Sequence, residues 1–492
     1  MKKDFAKRIA LIFLSAFIYI TTAYIPLTAY AAPASEEEYQ AAAEERKALP
    51  VQSNEVTEWP TGPAISAASA VLLEANTGTI LYSKNIHQKS YPASTTKLMT
   101  CLIAAENAKL QETVKFSQDA VFSIESGSSN IGIDAGQSMP MEECLYGILV
   151  ASANEVANGV AEHIAGDMDS FADMMNKRAA ELGCHNTHFM NAHGLYHEEH
   201  YTTAYDLALI ACAFFDNDLL SKIGNTASYH FEATDTQPDD FIVRNKHKLI
   251  TGEIACEGIK GGKTGYTDEA RQTLVTCAEK NGMKLICVVM VEETPDQFYD
   301  TVKLFDYGFT NFAVTNVSEY ETNYQINGIT SFHGAHDVFG NSATLFSLNE
   351  NSYIILPKTL DFADISSKIS YENLTGKEVA RILYSYENIS LGTASVNLMP
   401  GHASDSGSSE SKDISGISAF FNTVIQSEPE ANTVYINVKL ILIMIIAFAT
   451  LLIATFVIRA FITDYKFSDI RKKPSSRFPK KNKGKHNKGL HF

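Results

Sequence analysis

The chain has 492 residues, of which 45% are hydrophobic and 20% are charged. This length is too great for one compact core and the composition excludes wholesale disorder, so two or more folded units are expected. The formal net charge is −17, and residues 32–439 alone carry 25 basic against 54 acidic residues, which argues against nucleic-acid binding.

The N-terminus has the order of segments that is typical of a secretory signal peptide. Four basic residues among the first eight precede a mostly apolar run at residues 9–20, and small residues follow at Ala29 and Ala31. We therefore expect residues 1–31 to be removed after Ala31, with a retained signal anchor as the alternative.

Residues 63–312 combine strand patterns at both ends with helical patterns between them. Turn sequences occur at residues 76–78 and 281–282, and apolar residues at helical spacing dominate residues 95–215. The strand patterns lie at residues 70–73, 79–82, 273–278 and 285–291. This arrangement predicts an α+β layered domain rather than βαβ repeats. The preceding residues 32–62, rich in Glu, Ala and Pro, are expected to form a flexible spacer.

After residue 312 the pattern changes to short alternating apolar segments. Residues 353–356 and 379–384 are examples, each bounded by Asn, Gly or Pro. They predict a small β-rich domain at residues 316–398. Residues 399–437, which contain Ser, Asp and Gly, are expected to be a linker.

Residues 440–458 form a stretch of 19 residues without a charge. A helix of that length spans close to the ~30 Å hydrocarbon layer of a membrane, although a buried core helix is the alternative. The tail at residues 459–492 is basic, as expected for the cytoplasmic side. We therefore expect a single-pass protein of the cell membrane with an extracytoplasmic catalytic domain.

Ser94 and Lys97 form an S-x-x-K motif at the start of an apolar helical stretch. Positions i and i+3 share one face of a helix, so the hydroxyl and the amine can meet. A desolvated lysine with a lowered pKa can act as the base that activates a serine nucleophile. Alone the motif is weak, because helix caps and surface residues produce the same pattern.

Ser152 and Asn154 interrupt an otherwise apolar, Ala-rich stretch. Burying such side chains costs about 1–3 kcal/mol each unless they are hydrogen-bonded. We interpret Ser152 as a hydroxyl that relays a proton and Asn154 as the side chain that orients the lysine and a substrate amide. A loop or a helix cap is the alternative.

Lys263-Thr264-Gly265 is the third motif and leads to the strand pattern at residue 273. On a sheet edge it offers a cation and a hydroxyl to a carboxylate. Its glycine would let a substrate backbone lie close alongside. A glycine-rich turn is the alternative.

The ordered trio is more specific than any one motif. S-x-x-K, S-x-N and K-T-G in this order on a secreted chain make up the signature of the serine penicillin-recognising enzymes. The chain resembles the low-molecular-mass penicillin-binding proteins, the D-alanyl-D-alanine carboxypeptidases of peptidase family S11. The resemblance is good over residues 63–312 and looser over the β-rich segment. The segments that carry it lie at residues 91–100, 191–195, 200–204 and 263–270.

This resemblance implies a serine β-lactamase/transpeptidase-like domain, an antiparallel sheet with a helical subdomain, followed by the β-rich domain and one transmembrane helix. Ser94 would attack the carbonyl between the two terminal D-alanines of a peptidoglycan stem peptide, with Lys97 as general base and Ser152 passing a proton to the leaving group. The substrate-binding residues implied are Asn154, Lys263, Thr264, Gly265 and Tyr266. The backbone N–H groups of Ser94 and Tyr266 would form the oxyanion hole. β-Lactam antibiotics should acylate the same serine, and no metal or cofactor is expected.

Two arginines that members of this family often carry are replaced in this chain. Tyr205 stands at one of these positions, before Asp206, and Asp296-Gln297 stand near the other. Both arginines can help to hold the substrate carboxylate. Arg271, where a glycine is usual, is a hypothetical replacement.

Three other classes stay open on sequence alone. A serine β-lactamase shares all three motifs, but a class A enzyme needs a Glu where this chain has Asn-Ala-His-Gly at 191–194. A zinc carboxypeptidase would draw on His197–His200 or on Cys184 and its neighbouring histidines, although H-E-x-x-H spacing is absent. A non-catalytic wall-binding protein would give no reason for the intact trio.

Overall fold

The structure is a computed structural model that describes residues 35–321, 346–372, 374–376 and 378–398. Within these ranges no helix is long and apolar enough to cross a membrane. The predicted signal peptide, linker, transmembrane helix and tail, residues 1–31, 399–437, 440–458 and 459–492, lie outside the described residues.

The described elements follow one another in the predicted α+β order. The α-helices are α1 (Glu36–Lys47), α2 (Lys97–Asn107), α3 (Gln118–Phe122), α4 (Met141–Tyr146), α5 (Asn154–Ala165), α6 (Met168–Glu181), α7 (Ala204–Asp216), α8 (Asp218–Gly224), α9 (Lys248–Thr251) and α10 (Asp296–Asn311). The strands are β1 (Ser69–Glu74), β2 (Ile80–Lys84), β3 (Thr113–Lys115), β4 (Ser138–Pro140), β5 (Ser228–Phe231), β6 (Phe241–Arg244), β7 (Ile259–Thr267), β8 (Arg271–Lys280), β9 (Met283–Glu292), β10 (Phe312–Asn316), β11 (Phe346–Leu348), β12 (Tyr353–Pro357), β13 (Ser366–Ser370), β14 (Glu378–Tyr386) and β15 (Ile389–Leu398).

A five-stranded antiparallel sheet in the order β2-β1-β9-β8-β7 forms the centre of the first domain. Both predicted hairpins are present, β1–β2 and β8–β9, and the second turns through Asn281 and Gly282, whose φ angles are 52° and 77°. Every residue of β1 is buried, because α10 packs on one face of the sheet and α7 on the other. β7 is an edge strand, and the third motif lies on it.

The helices on the α7 face of the sheet form the predicted helical subdomain. α2 lies at its centre, and all its residues from Lys97 to Ala104 are buried. Its apolar side chains pack with those of α5, α6 and α7 in one hydrophobic cluster with the inner face of the sheet. The first motif therefore lies at the start of a helix that is buried among apolar side chains.

The β-rich segment continues directly from α10. β10 begins at Phe312, and the sheet runs in the order β10-β12-β15-β14-β13, with β11 paired to β15. Asn76, in the β1–β2 turn, donates to the Tyr353 hydroxyl across 2.7 Å. The apolar side chains of this sheet join α10 in a second hydrophobic cluster.

The prediction of a flexible spacer at residues 32–62 is wrong for its described part. Residues 36–47 form α1, and Arg46 at its end is only 3% exposed. Arg46 Nε donates to Ser66 O across 2.6 Å, and Lys84 Nζ donates to Arg46 O across 2.7 Å. Composition hid this docking, because the contacts of Arg46 join residues that are distant in the sequence.

Candidate active site

The nucleophile turn brings Ser94 and Lys97 together at the start of α2. Residues 93–96 form one turn of 3₁₀-helix that leads into the helix. Ala93, the first residue of this turn, has a strained backbone with a φ of 49°. A hydrogen bond from Thr95 Oγ1 to Pro92 O, 2.6 Å long, holds the turn in this conformation. Lys97 Nζ donates to Ser94 Oγ across 3.1 Å. The predicted i, i+3 pair is present.

Lys97 has two further hydrogen-bond partners, and both are acceptors. Its Nζ donates to Asn154 Oδ1 across 2.6 Å and to His193 O across 2.7 Å. The side chain is fully buried, and burial together with the positive charge of Lys263 holds the pKa of Lys97 well below its usual value. A neutral Lys97 amine would keep its two N–H donors for Asn154 and His193 and would accept from the Ser94 hydroxyl, so the geometry suits a general base.

Ser152 and Asn154 lie at the junction of two helices. A π-helical turn at residues 147–151 ends at Ser152, whose φ and ψ of 63° and 32° are left-handed. Asn154 then begins α5, and its backbone N–H donates to Ser129 O across 2.8 Å. This abrupt change of direction presents both side chains to the same space, as their interpretation as a relay and an orienting residue requires.

The third motif brings a second buried lysine to Ser152. Lys263 Nζ donates to Ser152 Oγ across 3.0 Å and to Thr264 O across 2.9 Å. Burial, with a contribution from Lys246, lowers the pKa of Lys263 to about 7. Tyr266 is half exposed, and its hydroxyl donates to Asp268.

Two glycines allow the segments of the site to approach one another. A Cβ at Gly265 would lie 3.0 Å from Ser94 N and 2.3 Å from Thr273 Oγ1, so the nucleophile turn abuts β7 through this glycine. Gly194 has a φ of 85°, and a Cβ there would lie 1.9 Å from Ala93 O. Any larger residue at either position would push the turn away from its partners.

An open cleft of about 440 Å³ gathers the predicted residues. Ser94, Ser152, Asn154, Thr264, Gly265 and Tyr266 line it, and Lys97 and Lys263 lie buried behind them. Sequence analysis assigned no site role to the other lining residues, which are Gly127, Ser128, Ser129, Leu195, Lys246, Lys248, Gln272, Thr294, Gln297 and Phe298. They come from loops and element ends with no periodic pattern, and only the fold assembles them.

The structure also locates the residues at the two replaced arginine positions. The Tyr205 ring packs against that of His87, with centroids 5.3 Å apart, and is not part of the cleft lining. Gln297 lines the cleft. Arg271 is buried in a two-bond ion pair with Glu293, at 2.9 and 2.7 Å. Because that carboxylate already neutralises the guanidinium, the structure gives no support to Arg271 as a replacement ligand for the substrate.

The residues weighed for a zinc site are dispersed or hydrogen-bonded elsewhere. His200 Nε2 lies 2.9 Å from Thr96 Oγ1, and its Nδ1 accepts from Met190 N. Cys184 Sγ donates to Asp206 O. In the part of the chain that the structure describes, no three His, Cys, Asp or Glu residues are grouped to hold a metal ion.

Sequence comparison places this cleft in a chain that is similar to known carboxypeptidases. The sequence profile of the D-alanyl-D-alanine carboxypeptidase family matches residues 55–294. The chain is 37% identical to the D-alanyl-D-alanine carboxypeptidase DacF of Bacillus subtilis over 256 residues, which are 51% of this chain and 64% of the relative. It is 30% identical to DacB2 of Mycobacterium tuberculosis over 256 residues, 51% of this chain and 84% of that relative.

Solved structures resemble the fold. The D-alanyl-D-alanine carboxypeptidase DacD from Francisella tularensis superposes with a TM-score of 0.52 at 23% identity, and the match covers 69% of this chain and 94% of that one. At this identity the likeness concerns the fold alone, and it includes the antiparallel sheet. From the sequence matches, this chain belongs to the D-alanyl-D-alanine carboxypeptidase family, peptidase family S11.

Proposed function

We propose that the chain is a serine-type D-alanyl-D-alanine carboxypeptidase that removes the terminal D-alanine of peptidoglycan stem peptides. The observation that carries the proposal is the position of the buried Lys97 amine, 3.1 Å from Ser94 Oγ. Family membership supports the same activity, although the chain spans only 64% of the length of the Bacillus subtilis relative.

In the proposed first step, the neutral Lys97 amine removes the proton of Ser94 as Oγ bonds to the carbonyl carbon of the penultimate D-alanine. The C–N bond to the last D-alanine then breaks, and the proton passes from Lys97 through Ser152 to the departing nitrogen. Asn154 holds Lys97 during this transfer. The positive charge of Lys263, which is hydrogen-bonded to Ser152, disfavours protonation of Lys97.

The developing oxyanion needs hydrogen-bond donors beside the nucleophile. The backbone N–H groups of Ser94 and Tyr266 would serve, because Gly265 lets β7 lie against the nucleophile turn. Such donors contribute about 3 kcal/mol each to transition-state stabilisation in serine enzymes. Water then hydrolyses the ester and regenerates Ser94, and β-lactams would form the same ester and leave it slowly.

The test is incubation of the purified full-length protein with a peptide that ends in D-Ala-D-Ala, followed by mass spectrometry. We expect loss of one D-alanine, and labelling of Ser94 by fluorescent penicillin. Ser94→Ala should abolish both, by on the order of 10⁴–10⁶-fold for turnover. Ser367→Ala, on β13, is the matched serine control and should change neither.

The same experiments also distinguish the proposed function from its alternatives. Rapid destruction of nitrocefin without lasting label would favour a serine β-lactamase. A cellular role that survives Ser94→Ala would favour a non-catalytic wall-binding protein. An intact peptide under conditions where penicillin still labels Ser94 would rule out the proposed substrate.

We also propose an extracytoplasmic, membrane-bound location. The signal-peptide pattern at residues 1–31, the uncharged stretch at 440–458 and the basic tail at 459–492 support it. N-terminal sequencing of the mature protein should begin at Ala32, and added protease should digest the catalytic domain in intact spheroplasts. A chain that starts at Met1 and resists the protease would contradict this location.

A further inference from the structure

Arg271 connects the ends of three neighbouring strands beside the cleft. It begins β8, and its backbone pairs with Thr267 at the end of β7. Its guanidinium reaches Glu293, the first residue after β9, and donates to both carboxylate oxygens across 2.9 and 2.7 Å. Both side chains are buried. Because β8 lies between β7 and β9 in the sheet, this ion pair joins the ends of all three strands.

The same guanidinium contacts Tyr266, which lines the cleft. Arg271 Nη1 donates to the Tyr266 hydroxyl across 3.4 Å, and its Cζ lies 5.6 Å from the centroid of the ring. A cation at this distance is attracted to the face of an aromatic ring. Tyr266 belongs to the edge strand β7, which pairs with β8 alone among the described strands. The contact with Arg271 therefore restrains a residue that the sheet holds on one side only.

The backbone is strained at the two places that this ion pair connects. Arg271 has a φ of 54°, in the left-handed region that favours glycine. Val291, two residues before Glu293, has a φ of 56°, which is rarer still for a side chain branched at Cβ. Strain of this kind persists only where the surrounding contacts maintain it. The buried ion pair is a contact that can maintain it.

The backbone of Glu293 is itself held by a buried carboxyl group. Its N–H donates to Glu292 Oε1 across 3.1 Å, and Arg46 Nη2, from α1, lies 3.7 Å from the same oxygen. Glu292 has 0% exposure. The Glu293 carboxylate is therefore a fixed point from which the Arg271 guanidinium can be oriented.

The end of β7 that Arg271 restrains is also the end that faces the nucleophile. In the proposed function the backbone N–H of Tyr266 donates to the oxyanion, and Gly265 lets β7 lie against the Ser94 turn. The stabilisation that such a donor provides depends on its exact position. A displacement of about 1 Å in an active site can lower the rate by about 10²-fold.

We propose that Arg271, held by its ion pair with Glu293, is a positioning residue that keeps Tyr266 and the end of β7 beside Ser94 for attack on the acyl donor. The inference rests on the proposed function. It assigns Arg271 no contact with the substrate, because the guanidinium is occupied by Glu293 and acts through the strand.

The test measures acylation of the full-length protein as a function of β-lactam concentration. Arg271→Asn tolerates the left-handed backbone but cannot reach Glu293. It should lower the rate constant at saturation by about 10- to 100-fold and leave the half-saturating concentration within about threefold, because orientation is lost and binding is not. Glu293→Gln should cause the same loss. The double variant should lose no more than either single variant, since the two side chains act as one unit.

Arg381→Asn on β14, which removes an ion pair with Glu378, is the matched control and should change neither parameter. The double variant buries no unpaired charge, so it tests the inference even if either single variant is unstable. A rate constant at saturation that stays within about threefold of the wild type in the double variant would overturn the inference. Losses in the two single variants that multiply in the double variant would overturn it as well.

Two thioester substrates distinguish positioning from direct binding by Arg271. An acyl-D-alanyl thioglycolate has a free carboxylate, and its methyl ester lacks one. In Arg271→Asn, kcat/KM should fall by the same factor for both, and a loss confined to the carboxylate substrate would show that Arg271 binds the substrate and does not position the strand. If the wild-type protein hydrolysed neither thioester and took no penicillin label, the proposed function would fail together with the inference. An active wild type with an equally active Arg271→Asn would remove only the inference.

Discussion

Two lysines of the first domain are equally buried, but the main charged neighbours of one are acids and that of the other is a lysine. Lys84 and Lys97 both have 0% exposure. Lys84 Nζ donates to two backbone carbonyls, Arg46 O and Ile65 O, each at 2.7 Å. Lys97 Nζ donates to two carbonyl-type acceptors and to a hydroxyl, Ser94 Oγ.

The two amines differ in the charges of their neighbours. Burial lowers the pKa of Lys84 to about 8, and the nearby acids Glu292 and Asp300 oppose that decrease. For Lys97 the charged neighbour with the largest effect on the pKa is another lysine, Lys263. Burial and charge therefore both lower the pKa of Lys97. The charged neighbours therefore oppose loss of the proton from Lys84, which fastens α1 to the domain, and favour loss of the proton from Lys97.

The largest expected effect comes from removing the Lys97 amine, which lies behind the cleft. Lys97→Met should lower the rate of acylation by fluorescent penicillin by about 10⁴-fold, because no other described group replaces the base beside Ser94. Near-UV circular dichroism should remain that of the wild type. A variant that still acylates within tenfold of the wild-type rate would show that the two lysines do not differ in this way.

Lys84→Met should act on stability and leave the chemistry intact. Two buried carbonyls lose their donor, so the free energy of unfolding in urea should fall by about 2–4 kcal/mol. The rate of acylation in the folded variant should match the wild type. A loss of acylation without a loss of stability would contradict the structural role.

The same variant should change the pH dependence of stability. The pKa of Lys84 is about 8 in the folded chain, against 10.5 for a free lysine, so the unfolded chain binds the extra proton between these values. Lys84 therefore makes stability rise with pH across that window. Urea titrations from pH 8 to pH 10.5 should show a smaller rise in Lys84→Met, and an identical rise would refute the shift.

The smallest effect tests the coupling between Lys97 and Lys263. Lys263→Gln removes the positive charge that disfavours protonation of Lys97, so the pKa of Lys97 should increase and the acid limb of the acylation rate should move to higher pH. The rate at its plateau should also fall by about 10²-fold, since a charged group near the reacting atoms is lost. Lys260→Gln, an exposed position on the same strand, is the control. An acid limb that stays at its wild-type pH would exclude coupling between the two charges.

Strong local patterns made much of the fold predictable. The β1–β2 and β8–β9 hairpins follow from alternating apolar residues around turn sequences, and the helical subdomain follows from apolar residues at helical spacing. The flexible spacer was wrong because the docking of α1 rests on the buried contacts of Arg46 and Lys84. Such contacts join residues that are distant in the sequence, and no periodic pattern predicts them.

For the site, the sequence by itself singled out Ser94 and Lys97 as the proposed nucleophile and base, together with the two later motifs, since these residue types in this order are typical of that chemistry. Only the tertiary structure decided what surrounds them. It placed Lys263 beside Ser152, turned Arg271 toward Glu293, and brought Lys248 and Gln297 from separate segments to the lining of the cleft. Burial, charge proximity and hydrogen-bond satisfaction are properties of the folded chain, and for that reason the full lining of the cleft could not be derived from the sequence.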